Sequence, residues 1–177
     1  GICQVSSTLY SSVVIADLEI VTRENHGYAV GYLPLGIDAT VSWGGPEFRF
    51  RNNSDRPIMI EAYSNKGTVT VSIRGIDDKD YYVKFENEVL ASYGWNTVYE
   101  TMKADNPEGH KDGDVLTTPY TGYETKTYRA KYDKKTDALI SRELEAHSFY
   151  NKRDKVVVKI EQEPAPSDPT ESTTPSA

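Results

Sequence analysis

The stretch GICQVSSTLYSSVVIADLEI, residues 1–20, carries the only cysteine of the chain, Cys3, at the start of a helical pattern. Its apolar residues recur at helical spacing, which predicts an amphipathic helix over residues 4–18. The residues on this face are Val5, Leu9, Val13, Val14 and Leu18. Two roles are open to a cysteine here. It either packs as a small hydrophobic residue, or it acts as a thiolate nucleophile activated by its position.

Composition restricts the kinds of partner. The 177 residues suit one domain or two small ones, and the net charge of −7 argues against a nucleic-acid partner. A single cysteine excludes an internal disulfide framework. No stretch is long and apolar enough to cross a membrane, and there is no signal peptide. Because the chain begins with Gly1 instead of methionine, we expect a fragment or a processed form.

The pattern predicts an α+β fold in three parts: one N-terminal helix packed on an antiparallel β-sheet, then a mostly-β second module and a disordered tail. In residues 1–76, five short segments follow the helix as predicted strands, namely EIVT, ATVSW, EFRFR, PIMIEAY and TVTVSIR. SNKG, residues 64–67, predicts a hairpin turn. Residues 77–162 are predicted to form the second module, whose two long strands join at DKKTD. Residues 163–177, rich in Pro, Ser, Thr and acidic residues, predict disorder.

A helix N-terminus provides unpaired N–H groups and a partial positive charge, so it stabilises both a thiolate and the oxyanion of acyl transfer. A nucleophilic Cys3 needs a general base, and chain geometry nominates His26. A helix from residue 3 to residue 18 rises about 23 Å. An extended return from residue 19 to residue 26 spans about the same length, about 23 Å. His26 would therefore come back level with Cys3.

A third group is needed to orient the imidazole and to support its cation. Asp38 follows a turn in GYLPLGID, residues 31–38, and starts a predicted strand that can return past His26. We prefer Asp38 to two other acids. Asp17 lies at the far end of the helix, and Glu24 would point away from His26 on a regular strand. The candidate catalytic set is thus Cys3, His26 and Asp38.

These residues also carry a family resemblance. GICQVSSTLY, LEIV, the histidine of NHG, YLPLGIDATVSWG and FRFRNNSDRPIMIEA resemble, in this order, the C-terminal half of a VanW-like domain over residues 1–76. The family's name comes from vancomycin-resistance clusters, and its members are exported cell-wall proteins of Gram-positive bacteria. The resemblance implies that Cys3 is the nucleophile and His26 the motif histidine. Asp38 matches the family's GxDA aspartate, and its orienting role is our inference from the chemistry.

The resemblance implies a peptidoglycan L,D-transpeptidase that forms 3–3 cross-links between stem peptides, or an L,D-carboxypeptidase if water replaces the acceptor amine. Its partners would be stem peptides and wall glycan outside the cell, with membrane contact only through an anchor upstream of Gly1. The part of the domain upstream of Gly1 would contribute to the substrate groove. The alternative is a non-catalytic wall-binding or resistance-accessory protein in which Cys3 is merely packed.

The second module is similar to the small glycine-named extracellular β modules that often follow VanW-like domains, which implies attachment to the wall. Its polar and aromatic residues are interpreted as structural, since the scattered histidines lack metal-ligand spacing. We assign structural roles to His110, His147, Trp43 and Trp95, and a solvated turn to Asp112 and Asp114. No cofactor or metal site is predicted.

Overall fold

The computed structural model describes residues 1–161, which contain one helix and ten strands. The elements are α1 (Ile2–Ile15), β1 (Glu19–Thr22), β2 (Arg49–Arg51), β3 (Met59–Asn65), β4 (Thr68–Arg74), β5 (Tyr81–Tyr93), β6 (Thr97–Met102), β7 (Val115–Thr117), β8 (Gly122–Asp133), β9 (Leu139–Tyr150) and β10 (Lys155–Ile160). The predicted α+β class agrees with one helix and ten strands, although most of the structure is β. The strands form four separate sheets. Two of them lie in the N-terminal part, where one sheet was predicted, and two lie in the second module. The predicted disordered tail, residues 163–177, lies outside the described residues.

Helix α1 buries Val13 and Val14 of the predicted face, together with polar and aromatic residues that the apolar pattern left out. Ser6, Ser7, Tyr10, Val13 and Val14 are buried. Val5, which the apolar pattern placed inside, is 43% exposed. The reason is that α1 packs against β4 and β5 and against the chain around Ala39, and this packing accepts small polar side chains. At the centre of this contact, the Tyr10 ring meets the rings of Phe48 and Phe85 edge-on.

The helix ends three residues before the predicted Leu18, at a Schellman motif. Asp17 takes a left-handed conformation with φ of 60°. The N–H of Leu18 donates to the carbonyl of Val13 at 3.1 Å, and that of Asp17 donates to Val14 at 3.0 Å. Apolar spacing alone could not place this boundary, because Leu18 is buried just beyond the helix.

The strands of the N-terminal part pair in two small antiparallel sheets, β1 with β2 and β3 with β4. The predicted SNKG hairpin is confirmed: Lys66 and Gly67 have φ of 48° and 81°, as a type I′ turn requires. The predicted strand ATVSW, residues 39–43, is wrong, because this segment joins no sheet. It runs between α1 and the chain around Glu24, whose carbonyl accepts from the N–H of Thr40 at 2.8 Å.

Residues 81–160 form two three-stranded sheets, with strand orders β5-β8-β9 and β6-β10-β7. The long pair β8 and β9, joined through DKKTD, is confirmed as an antiparallel hairpin, and β5 runs antiparallel to β8 on its other side. In the second sheet β10 lies parallel to β6 and antiparallel to β7.

The sheet β5-β8-β9 packs a polar face against the N-terminal part. Arg129 donates to the carboxylates of Asp17 and Glu145, both at 2.9 Å, and to the carbonyl of Leu18 at 3.0 Å. Lys131 also pairs with Asp17, at 3.1 Å. A buried contact rich in charge holds only if each charge is paired, so these ion pairs fix how the two parts meet.

Candidate active site

Asp38 and His26 form a direct pair. Asp38 is fully buried, and its Oδ2 lies 2.6 Å from the ring Nδ1 of His26 and accepts from the backbone N–H of His26 at 2.7 Å. This carboxylate therefore holds the imidazole at two points. The other ring nitrogen, Nε2, is left to exchange a proton outside the pair.

The second carboxylate oxygen of Asp38 is held by two residues that the sequence did not single out. Arg23, itself buried, places Nη2 3.3 Å from Asp38 Oδ1. The phenol hydroxyl of Tyr150, on β9, donates to the same oxygen. Arg23 also donates to the carbonyls of Asp38 and Gly36, at 2.6 and 2.9 Å. The charge of Asp38 is thus compensated in the protein interior.

Cys3 lies in the first turn of α1, half-buried beside the segment that follows Asp38. Its Sγ is 3.8 Å from Thr40 Oγ1, and the thiol donates to the carbonyl of Val41 at 3.4 Å. The pKa of Cys3 lies below its ordinary value. Hydrogen bonding to the Val41 backbone contributes most to lowering the pKa, burial opposes it, and the side chains of His26 and Thr40 lower the pKa further.

Two serines attach the helix to the segment that carries Asp38. Ser6 Oγ donates to the carbonyl of Ala39 at 2.6 Å, and Ser7 Oγ accepts from the N–H of Ala39 at 2.9 Å. On the same helix face, Cys3 lies one turn before these serines and Tyr10 lies one turn after them. These two serines thus fix the distance between the helix and the segment that carries Asp38.

Tyr32 is a further residue near the site that sequence reasoning missed. Its ring meets that of His26 edge-on, with 6.4 Å between centroids, and it is 41% exposed. Burial raises the pKa of the Tyr32 phenol, and the nearby Cys3 and Asp38 raise it further. Tyr32 is thus a partly exposed aromatic side chain that contacts the His26 ring.

The remaining residues considered in the sequence lie elsewhere. Glu24 is exposed, and Asp17 pairs with Arg129 at the other end of α1. His110 faces Glu108, and His147 faces Glu124. Trp43, which was assigned a structural role, is fully exposed in the turn 42–45 and so does not pack in a core.

The described part of the chain, residues 1–161, brings together no group of three or more His, Cys, Asp or Glu side chains that could hold a metal ion. Its helix α1 is too short to cross a membrane.

Arg23, Tyr32 and Tyr150 carried no usable signal in the sequence. An arginine three residues before a histidine is unremarkable, and Tyr150 is one of 13 tyrosines in the chain. Tyr150 is separated from Asp38 by 112 residues, and the pairing depends on where β9 lies.

Comparisons with known proteins support the interpretation of the N-terminal part. Residues 1–74 match the family model described as VanW like protein. The Bacillus subtilis (strain 168) protein described as "Uncharacterized protein YoaR" is 51% identical over 77 residues, which is 44% of this chain. The chain spans 25% of the length of that relative. The match lies in the N-terminal part of this chain, and its position as the C-terminal half of a longer domain stays a prediction.

Among solved structures, the chain is similar to one titled "IgA1 Protease G5 domain structure", at 16% identity and a TM-score of 0.30. The similarity covers 49% of this chain and 98% of the other. A TM-score this low carries no conclusion about the second module, so its wall-associated role stays a prediction.

Proposed function

We propose that this chain carries a cysteine-dependent acyltransferase site, and that the reaction is L,D-transpeptidation of peptidoglycan stem peptides. The observation that supports it is the array of Cys3, His26 and Asp38. The thiol has a lowered pKa to which His26 contributes, and the histidine is held at Nδ1 by a buried carboxylate. A packed structural cysteine has no need of such an array.

In the first half-reaction, Cys3 thiolate attacks the carbonyl carbon between the third, L-centred residue of a donor stem and its terminal D-alanine. The carbonyl oxygen becomes an oxyanion, which the N–H groups at the start of α1 can stabilise. As the C–N bond breaks, cationic His26 gives its Nε2 proton to the leaving amine of D-alanine. The products are a thioester on Cys3 and free D-alanine.

In the second half-reaction, the side-chain amine of an acceptor stem's third residue attacks the thioester carbonyl. His26 takes a proton from that amine, and Cys3 leaves as the thiolate. A new amide bond now joins two third residues, which is a 3–3 cross-link. Asp38 stays ionised throughout and compensates the cationic His26 in both steps.

The substrate class rests on the match of residues 1–74 to the VanW-like model, and the chemistry rests on the geometry. A stem peptide as substrate places the protein at the cell wall, outside the membrane. The reaction uses no cofactor, because the thiolate and imidazole supply both the nucleophile and the proton transfers.

The test incubates the protein that carries this chain with disaccharide-tetrapeptide and analyses the products by mass spectrometry. We expect loss of D-alanine and a 3–3 dimer, both abolished in Cys3→Ala. His26→Ala should lower the rate by about 10²–10⁴-fold. His110→Ala is the matched control, since His110 lies in a loop of the second module, and it should leave the rate unchanged.

Other outcomes revise the proposal. Release of D-alanine without a dimer makes the site an L,D-carboxypeptidase. No turnover, together with a Cys3 thiol that resists alkylation in the folded protein, refutes the acyltransferase and leaves a non-catalytic wall-binding protein.

A further inference from the structure

We propose that Tyr150 is a positioning residue for Asp38, so that strand β9 of the second module is a working part of the active site. This inference rests on the proposed function. It departs from the view of residues 77–162 as a separate unit that only attaches the enzyme to the wall.

The Tyr150 hydroxyl contacts two residues of the site, Asp38 and Gly36. It donates to Asp38 Oδ1 and accepts from the backbone N–H of Gly36 at 2.7 Å. The side chain is 4% exposed. Burial and the bond to Asp38 raise the pKa of Tyr150, so the phenol stays protonated and able to donate. One hydroxyl thereby fixes both the carboxylate and the turn that leads to it.

Strand β9 makes a second contact through Ser148, two residues before Tyr150 and on the same face of the strand. The buried Ser148 Oγ accepts from Arg23 Nη1 at 2.7 Å. Since Arg23 also contacts Asp38 Oδ1, Tyr150 and Ser148 together hold the oxygen that His26 leaves free.

The chain that carries His26 is attached to the same strand end. Asn25 Nδ2 donates to the carbonyl of Phe149 at 2.7 Å, and the N–H of Asn151 donates to the carbonyl of Gly27 at 2.7 Å. These bonds flank His26 on both sides. The second module thus holds both members of the His26–Asp38 pair in place.

The two oxygens of Asp38 have different donors, which explains why the Tyr150 hydroxyl matters for catalysis. Asp38 Oδ2 is occupied by the two nitrogens of His26, whereas Oδ1 depends on Arg23 and Tyr150. Removing the phenol hydroxyl leaves Oδ1 a donor short and the Gly36 N–H without its acceptor. A buried carboxylate in that state turns toward the remaining donors, and the His26 ring loses its fixed orientation.

The experiment compares Tyr150→Phe with Tyr128→Phe in the protein that carries this chain. Tyr128 is the matched control because it lies in the same sheet and its hydroxyl donates to Glu88, at 2.9 Å, away from the site. The first readout is the proton NMR signal of the His26 Nδ1–H, which the 2.6 Å contact with Asp38 shifts far downfield. The second is the pH dependence of Cys3 alkylation by iodoacetamide.

We expect Tyr150→Phe to shift or abolish the downfield signal and to move Cys3 alkylation to higher pH, with Tyr128→Phe unchanged in both. In turnover, kcat should fall about 10- to 100-fold at unchanged KM, since a misplaced catalytic group costs rates of that order. Ser148→Ala should change the same readouts in the same direction. Circular dichroism checks that each variant is folded.

Unchanged signal and alkylation in folded Tyr150→Phe would overturn the inference, whatever the turnover. If the wild-type protein shows no turnover, the proposed function fails, but the NMR and alkylation results still decide whether Tyr150 positions the pair. Equal effects of Tyr150→Phe and Tyr128→Phe would also overturn it, because the change would then reflect the sheet in general.

Discussion

Replacing Gly36 by alanine tests the contact between the active-site turn and strand β8. Gly36 has φ of +85°, where a side chain costs about 1–2 kcal/mol. An added Cβ would also lie 2.8 Å from Thr127 Cγ2 and 2.9 Å from Thr125 Oγ1. Both threonines are fully buried and cannot move aside, so overpacking adds about 1–3 kcal/mol. The total loss of unfolding free energy is about 2–5 kcal/mol.

Gly44→Ala provides the matched control. Gly44 has φ of +67°, but no atom lies within 4 Å of an added Cβ, so only the backbone strain of about 1–2 kcal/mol applies. With a urea m value of about 2 kcal/mol/M, the unfolding midpoint should fall by about 1–2.5 M in Gly36→Ala and about 0.5–1 M in Gly44→Ala. The assay is urea unfolding followed by circular dichroism.

Equal midpoints for the two variants would refute the reasoning. They would mean that Thr125 and Thr127 do not pack on Gly36 in solution. The position of Gly36 would then differ from the one described, and so would its N–H bond to the Tyr150 hydroxyl.

Three further predictions concern the helix, the junction and the thiol. Val13→Ala should lower the unfolding free energy by about 2 kcal/mol and Val5→Ala by less than about 0.5 kcal/mol, because Val13 is buried and Val5 is exposed. Urea unfolding measures both losses, and equal losses would contradict the observed helix face. Burial raises the pKa of Asp17, but hydrogen bonds from Tyr81, Arg129 and Lys131 outweigh it, so the pKa is lowered in the folded state. The stability that the Asp17 ion pairs contribute is present above the ordinary Asp pKa of 3.8 and is lost as the pH falls below it. Asp17→Asn should therefore lower the unfolding free energy by about 2–3 kcal/mol at pH 7 and by little in strong acid. A loss that does not depend on pH would contradict the pairing. Cys3 should react with iodoacetamide at lower pH than free cysteine, and a rate profile like that of the free amino acid would contradict its lowered pKa.

Much of the local structure could be predicted from short-range rules. The helix at Cys3, the β1 strand and the SNKG hairpin depend on residues a few positions apart, and the structure has all three. His26 and Asp38 could also be nominated from chain lengths and turn residues, and they lie 2.6 Å apart. The predicted strands that were to carry them are wrong, because β1 ends at Thr22 and Asp38 lies outside any strand.

Other features depended on what packs against each element. Apolar spacing placed Val5 inside the helix contact, but the chain around Ala39 accepts Ser6 and Ser7 instead, through hydrogen bonds that no periodicity records. The ATVSW segment has strand-forming residues, yet it joins no sheet; its backbone instead bonds to the side chains of Ser6 and Ser7 and to the carbonyl of Glu24.

The sequence by itself determined the catalytic candidates, because a thiol at a helix start, a histidine and an aspartate after a turn lie within the first 38 residues. Only the tertiary structure decided what holds them in place. Tyr150 and Ser148 come from a strand more than 100 residues away, and their roles arise from burying the charge of Asp38. A buried carboxylate needs donors on both oxygens, and distance along the chain places no limit on where those donors come from.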